Sequence, residues 1–151
     1  ITCKLTMTLL KQAIAFRQAF DQEIKEGFAP DGFIKQSLYD MQARLIEEEV
    51  LEFDEAATLL TYSPNDLTLQ REVLKELSDV VFVCYQFAAA FGLDLDTAMQ
   101  RVFDSNMSKL GKNGKPIYRE DGKVLKGPNY KKPVLDDLIT VSRRTYDTSG
   151  K

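Results

Sequence analysis

Two acidic pairs occur at one spacing, Glu49 with Glu52 in the run EEEVLE and Glu76 with Asp79 in ELSD. Residues three apart on a helix lie about one turn from each other, so each pair presents both carboxylates on one face. Two such helices packed antiparallel would gather four carboxylates. Like charges at close range repel in water unless a hard divalent cation neutralises them. The donor set is all oxygen, with neither nitrogen nor sulfur, which suits Mg2+ with Mn2+ as a substitute. The expectation is a metal site carried by a helical bundle.

The elements that must hold these carboxylates can be read from periodicity and stop signals. Leu38, Met41, Leu45, Val50, Phe53, Ala57 and Leu60 form an apolar stripe that predicts a long helix from Ser37 to about Tyr62, with EEEVLE near its centre. Ser63-Pro64-Asn65-Asp66 breaks the chain, and a further helix is expected from there to about Phe91, ended by Gly92. Before this pair, Thr8 can cap a helix running to about Lys25 with Gly27 after its end, and Pro30 with Asp31-Gly32 marks the intervening loop. After it, a cap at Asp94 or Asp96 opens a fourth helix that turns Ala98, Met99, Val102, Phe103, Met107 and Leu110 inward and stops at Gly111. The period then vanishes. Residues 112–133 are basic and Gly/Pro-rich, with PIYR and KVL around Glu120-Asp121-Gly122 reading as a small β-hairpin. Pro133 to Arg144 reads as a short helix followed by a frayed tail. The division is therefore a helical core over 8–111, an arm over 112–133 and a C-terminal short helix and tail over 134–151.

Composition excludes several classes of chemistry. The 151 residues contain no His, which removes Ser-His-Asp and Cys-His catalysis and His-ligated metals together. The two cysteines, Cys3 and Cys84, make no disulfide framework and suit a reducing cytoplasm. A formal charge of −3 argues against nucleic acid or membrane partners, yet charge is polarised along the chain. Residues 40–79 hold eleven Asp and Glu against three Lys and Arg, whereas residues 101–132 hold nine Lys and Arg against three acids. A cation in the acidic stretch and a polyanion in the basic one would suit that pattern. The run VVFVCYQFAAAF is apolar nearly all round, which one small bundle seldom buries, so a homo-dimer or homo-tetramer is expected. That run is too short to span a bilayer, and no signal peptide is visible; Met7 is a plausible start residue, leaving residues 1–6 as a leader.

Singly, each motif is an ordinary helix face. Taken in order, EExxE at Glu48 to Glu52, then 23 residues, ExxD at Glu76 to Asp79, NMSK at Asn106 to Lys109 and a basic Gly-rich arm resemble the all-α nucleoside triphosphate pyrophosphohydrolases. This MazG-like superfamily also includes dimeric dUTPases and phosphoribosyl-ATP pyrophosphohydrolase. The resemblance covers residues 8 to 133, and its last block is similar to small single-module proteins, some carried by phages. It implies a four-helix MazG-like bundle with cation ligands Glu49, Glu52, Glu76 and Asp79, and phosphate contacts from Asn106 and Lys109. Lys112, Arg119, Lys123 and Lys126 of the arm are candidates to close over the triphosphate. Glu48 and Glu49 are the candidate catalytic carboxylates, Glu48 as general base or second-metal ligand. In such folds the first helix lines the base pocket, which points to Ile14, Arg17, Gln18 and Asp21, with Asn129 and Tyr130 reaching a partner's nucleotide.

The implied reaction is hydrolysis of a nucleoside triphosphate to monophosphate and pyrophosphate, dNTPs favoured and a purine such as dGTP possible, in the cytoplasm or a phage host's cytoplasm. House-cleaning of noncanonical nucleotides, or a phosphoribosyl-nucleotide substrate, is the close rival. A non-catalytic nucleotide- or partner-binding helical module is the alternative of a different class.

Overall fold

The computed structural model describes residues 6–139, and every regular element among them is helical. Helix α1 (Leu9–Ala19) is capped by Thr8, whose side chain accepts from the Lys11 N–H. It stops six residues before the expected end at Lys25. Asp21 takes a left-handed φ of 51°, the Gln22 N–H donates to the Arg17 carbonyl at 2.8 Å and the Asp21 N–H to Gln18 at 3.4 Å. That is a Schellman closure with Asp in the place Gly usually takes.

Helices α2 (Gln36–Tyr62) and α3 (Leu67–Ala90) pack along each other as an antiparallel pair. The Tyr39 ring meets Phe87 and Phe91 near one end while Glu49 meets Glu76 and Asp79 lower down, so rising numbers on one helix match falling numbers on the other. Asp66 caps α3, accepting from Thr68 N at 2.7 Å and Leu69 N at 3.2 Å. At the other end Gly92 (φ +63°) allows the Leu93 N–H to bond Ala88. The loop after α1 then satisfies further carbonyls of that terminus: Lys25 N donates to Ala90 and Gly27 N to Phe91, both at 2.8 Å. A Cβ on Gly92 would stand 2.2 Å from the Lys25 carbonyl oxygen. Glycine is needed there for conformation and for space.

Helix α1 lies on α3 with Ala13, Tyr85 and Ala89 as a buried cluster, flanked by Leu10, Ile14 and Leu95. Small residues at Ala13, Ala88, Ala89 and Ala90 let the backbones approach. Helix α4 (Leu95–Met107), capped by Asp94, diverges from α3 by 119° and ends short of the expected Gly111. Its apolar side is not turned inward throughout: Met99, Phe103 and Met107 are half exposed. Likewise the apolar run on α3 buries Val83, Tyr85 and Phe91 but leaves Val81 and Phe82 partly exposed, with Leu74 and Leu77 further down the helix.

The arm carries no strand among the described residues. The expected hairpin is reduced to one antiparallel bridge, Tyr118 with Val124, closed by Arg119 N to Lys123 O and Leu125 N to Ile117 O. The arm is pinned to the end of α4 by Gly127 N to Lys109 O and by Ser108, which accepts from Lys131 N. Helix α5 (Asp136–Ile139) is the described part of the expected Pro133–Arg144 helix; its remainder, residues 1–5 and the tail lie outside the described residues.

Candidate metal centre

The antiparallel register of α2 and α3 sets the Glu49 carboxylate opposite Glu76 and Asp79, one oxygen of each within 4.8 Å of the others. Glu76 is the inner member, only 4 % exposed, and its Oε2 has no hydrogen-bond donor. Its other oxygen accepts from the Lys75 ammonium at 2.8 Å, and that ammonium also reaches Asp79 Oδ2 at 3.2 Å. Glu52 and Glu72 come close to the Glu76 carboxylate. Ionised, these are acceptors only, so they add negative charge without satisfying Oε2.

Charge regulation follows from this crowding. Burial pushes the Glu49 carboxyl above the usual range, and the neighbouring Glu52, Asp79 and Glu76 push it further. Glu76 moves the opposite way because its bond to Lys75 favours the ionised form. The residues fit a hard divalent cation: oxygen donors from two helices, a buried carboxylate oxygen lacking a donor, and excess negative charge.

Other expected site residues fall in several places. Glu48 and Glu52 are exposed on α2. Asn106 is exposed at the end of α4, and Lys109 offers its carbonyl to the arm. Arg119 pairs with Asp121, and Lys126 sits over the Tyr130 ring at 4.5 Å. Lys112, Lys123 and Asn129 are exposed. Among the described residues, no hydrogen bond or ion pair joins α4 or the arm to the three carboxylates.

The expected base-binding stripe on α1 is not brought to the carboxylates. Ile14 and Gln18 line a cavity of about 320 Å³ beside Ala89 and Gly92, and Asp21 forms the helix stop. Ten residues of α3 separate Asp79 from Ala89, roughly 15 Å at a 1.5 Å rise. Arg17 is buried at 2 %, with its guanidinium donating twice to the Glu23 carbonyl at 2.9 and 2.7 Å and to Gln86 Oε1 at 3.5 Å. It is a structural clamp rather than a free contact. The space next to Asp79 is instead a cavity of about 480 Å³ lined by Leu9 and Gln12 of α1 and by Leu77, Ser78, Phe82 and Tyr85 of α3.

Sequence reasoning passed over Lys75, Glu72 and this cavity. Lys75 and Asp79 stand at i,i+4 and Glu72 one turn before Glu76, so the helical spacing carried the signal. Phe82 and Tyr85 read only as part of the apolar run expected at an oligomer interface.

A helical hairpin that gathers three carboxylates, the inner one buried with an oxygen lacking a donor, is an oxygen donor set for a hard divalent cation. The family model described as phosphoribosyl-ATP pyrophosphohydrolase matches residues 13–106, well over half of the chain, and the protein belongs to that family, within the MazG-like all-α nucleoside triphosphate pyrophosphohydrolase superfamily. The match contains all the carboxylates and stops at Asn106, so Lys109 and the arm lie beyond it. No curated protein matches the chain. No single helix among the described residues is long and apolar enough to cross a membrane.

Proposed function

We propose that the protein is a divalent-cation-dependent pyrophosphohydrolase that converts a nucleoside triphosphate, preferentially a dNTP, to the monophosphate and pyrophosphate. The observation that carries this reading is the buried Glu76 carboxylate, which has one oxygen without a donor and is clustered with the carboxylates of Glu49 and Asp79. A structural module has no use for such an arrangement, because an unpaired buried carboxylate oxygen costs stability in a fold that gains nothing from it. Glu49, Glu76 and Asp79 would hold Mg2+ or Mn2+, with Glu52 beside them. The bound cation supplies charge neutralisation on the phosphate oxygens and makes a nearby water more acidic.

The rest falls to the chain's own side chains. Glu48, next to the ligands and open to solvent, is the candidate to take the proton from the attacking water. Asn106, Lys109 and the arm's Lys112, Arg119 and Lys126 are the candidates to hold the phosphates. Among the described residues no hydrogen bond or ion pair ties them to the carboxylates of their own chain, and Leu74, Leu77, Met99 and Phe103 leave apolar surface uncovered, which supports a homo-oligomer in which one copy's arm serves the centre of another. The base would lie against Phe82 and Tyr85, which line the cavity beside Asp79 and offer an aromatic face to stack on it.

A phosphoribosyl-nucleotide is the second reading, favoured by the printed description of the family; the dNTP reading draws on the arm, which lies outside that match. Pyrophosphate release from the canonical NTPs and dNTPs, dUTP and phosphoribosyl-ATP, with Mg2+ or EDTA, separates them. Turnover of dNTPs supports the first reading and turnover of phosphoribosyl-ATP alone the second. Silence across the panel from folded protein contradicts both and leaves a binding module.

A further inference from the structure

Among the described residues, the only ion pairs that reach the three-carboxylate centre come from Lys75. Its Nζ bridges Glu76 Oε1 at 2.8 Å and Asp79 Oδ2 at 3.2 Å, while the side chain as a whole is 58 % exposed. The head is thus engaged with two ligand carboxylates, and the stem lies along the surface, free to swing into water. One ammonium stands against the negative charge of Glu49, Glu52, Glu72, Glu76 and Asp79, so it screens the cluster without neutralising it. A divalent cation drawn to the same oxygens meets a positive charge already bonded to two of them. An ammonium is a point charge held by single, rotatable contacts and can leave. A guanidinium would bind the same carboxylates as a planar fork and leave less readily.

We propose that Lys75 is a tethered counter-cation of the metal-free centre, which occupies Glu76 and Asp79 until a divalent ion displaces it and thereby sets the concentration at which the site fills. The proposal rests on the divalent-cation reading above. Its distinguishing mark is the sign of the effect: a lysine that merely positioned the ligands would aid metal binding, whereas a competitor opposes it.

The test is calorimetric titration of the metal-stripped full chain with Mn2+, for wild type, Lys75→Met and Lys75→Arg, with thermal midpoints measured with and without Mn2+. Lys75→Met is expected to bind Mn2+ about 3–5-fold more tightly, the range an exposed ion pair can supply. Its metal-free midpoint should fall and its Mn2+-induced rise should grow, because the cluster loses its internal cation. Lys75→Arg should bind Mn2+ more weakly than wild type. Equal or weaker binding by Lys75→Met, beside a wild type that binds, overturns the role of Lys75 and leaves the metal centre standing. A folded wild type that binds no Mn2+ at millimolar concentration overturns the centre and this proposal with it.

Discussion

Replacing Arg17 by Met separates a clamp from a substrate contact. The methionine keeps most of the aliphatic volume at a site 2 % exposed but removes both bonds to the Glu23 carbonyl and the contact to Gln86 Oε1. Hydrogen bonds to a charged donor contribute about 1.5–3 kcal/mol each, and the carbonyl left behind is partly buried. Against this, the guanidinium is itself held in a partly desolvated place that lowers its pKa, so its removal returns some of that cost. The net loss is about 2–4 kcal/mol. For a domain of 151 residues that lowers the thermal midpoint by roughly 5–15 °C. The assay is circular dichroism melting of both proteins, followed by KM for the preferred nucleotide at a temperature where both are folded. The account predicts a large midpoint shift with KM within about threefold of wild type. An unchanged midpoint with KM raised tenfold or more would place Arg17 at the base and refute the reasoning.

Gly92→Ala forces a left-handed residue to carry a Cβ 2.2 Å from the Lys25 carbonyl oxygen, and it should destabilise the fold by about 2–4 kcal/mol in urea denaturation, through conformation and the loss of loop bonds. Glu23 is held at about pKa 2 by its bonds to Lys25 and Lys35, against an ordinary value of 4.5. A depressed folded pKa means that its stabilisation is present above 4.5 and lost as pH falls toward 2, so midpoints measured across that window should fall less for Glu23→Gln than for wild type. Phe82→Ala opens the cavity beside Asp79; it should raise KM for the nucleotide about tenfold while leaving Mn2+ affinity within twofold, as measured by steady-state kinetics and calorimetry. Gly127 packs where a Cβ would meet the Leu110 carbonyl oxygen at 2.4 Å, so Gly127→Ala should loosen the arm, seen as faster hydrogen exchange over residues 112–133 with the melting of α2 and α3 unchanged.

What the chain disclosed about itself tracks how local each determinant is. The limits of α3 were legible because Asp66 and Gly92 act on their own helix ends. The carboxylate cluster was legible because a spacing of three fixes a helix face before any packing is known. The end of α1 was missed because a left-handed stop was sought at Gly27, whereas Asp21 supplies it. Arg17 was read as a contact because its charge is visible in the sequence and its burial under the loop at Glu23 is not. Which end of α1 lies beside Asp79 was illegible for a related reason, since only the packing of α1 on α3 decides it: Leu9 and Gln12 line the cavity there, and Ile14 and Gln18 line another. The outward apolar residues of α4, Met99, Phe103 and Met107, read as core because periodicity marks an apolar face without saying which molecule covers it.

The most direct measurement takes wild type and Glu76→Gln through Mn2+ titration and pyrophosphate release in parallel. Glutamine keeps the shape of the inner side chain and removes its charge. The account predicts a folded variant whose Mn2+ affinity and pyrophosphate release both fall by roughly 100-fold or more, with wild-type release abolished by EDTA. Wild-type activity that survives EDTA, or a variant that binds Mn2+ as tightly as wild type, would contradict a metal centre built on Glu49, Glu76 and Asp79.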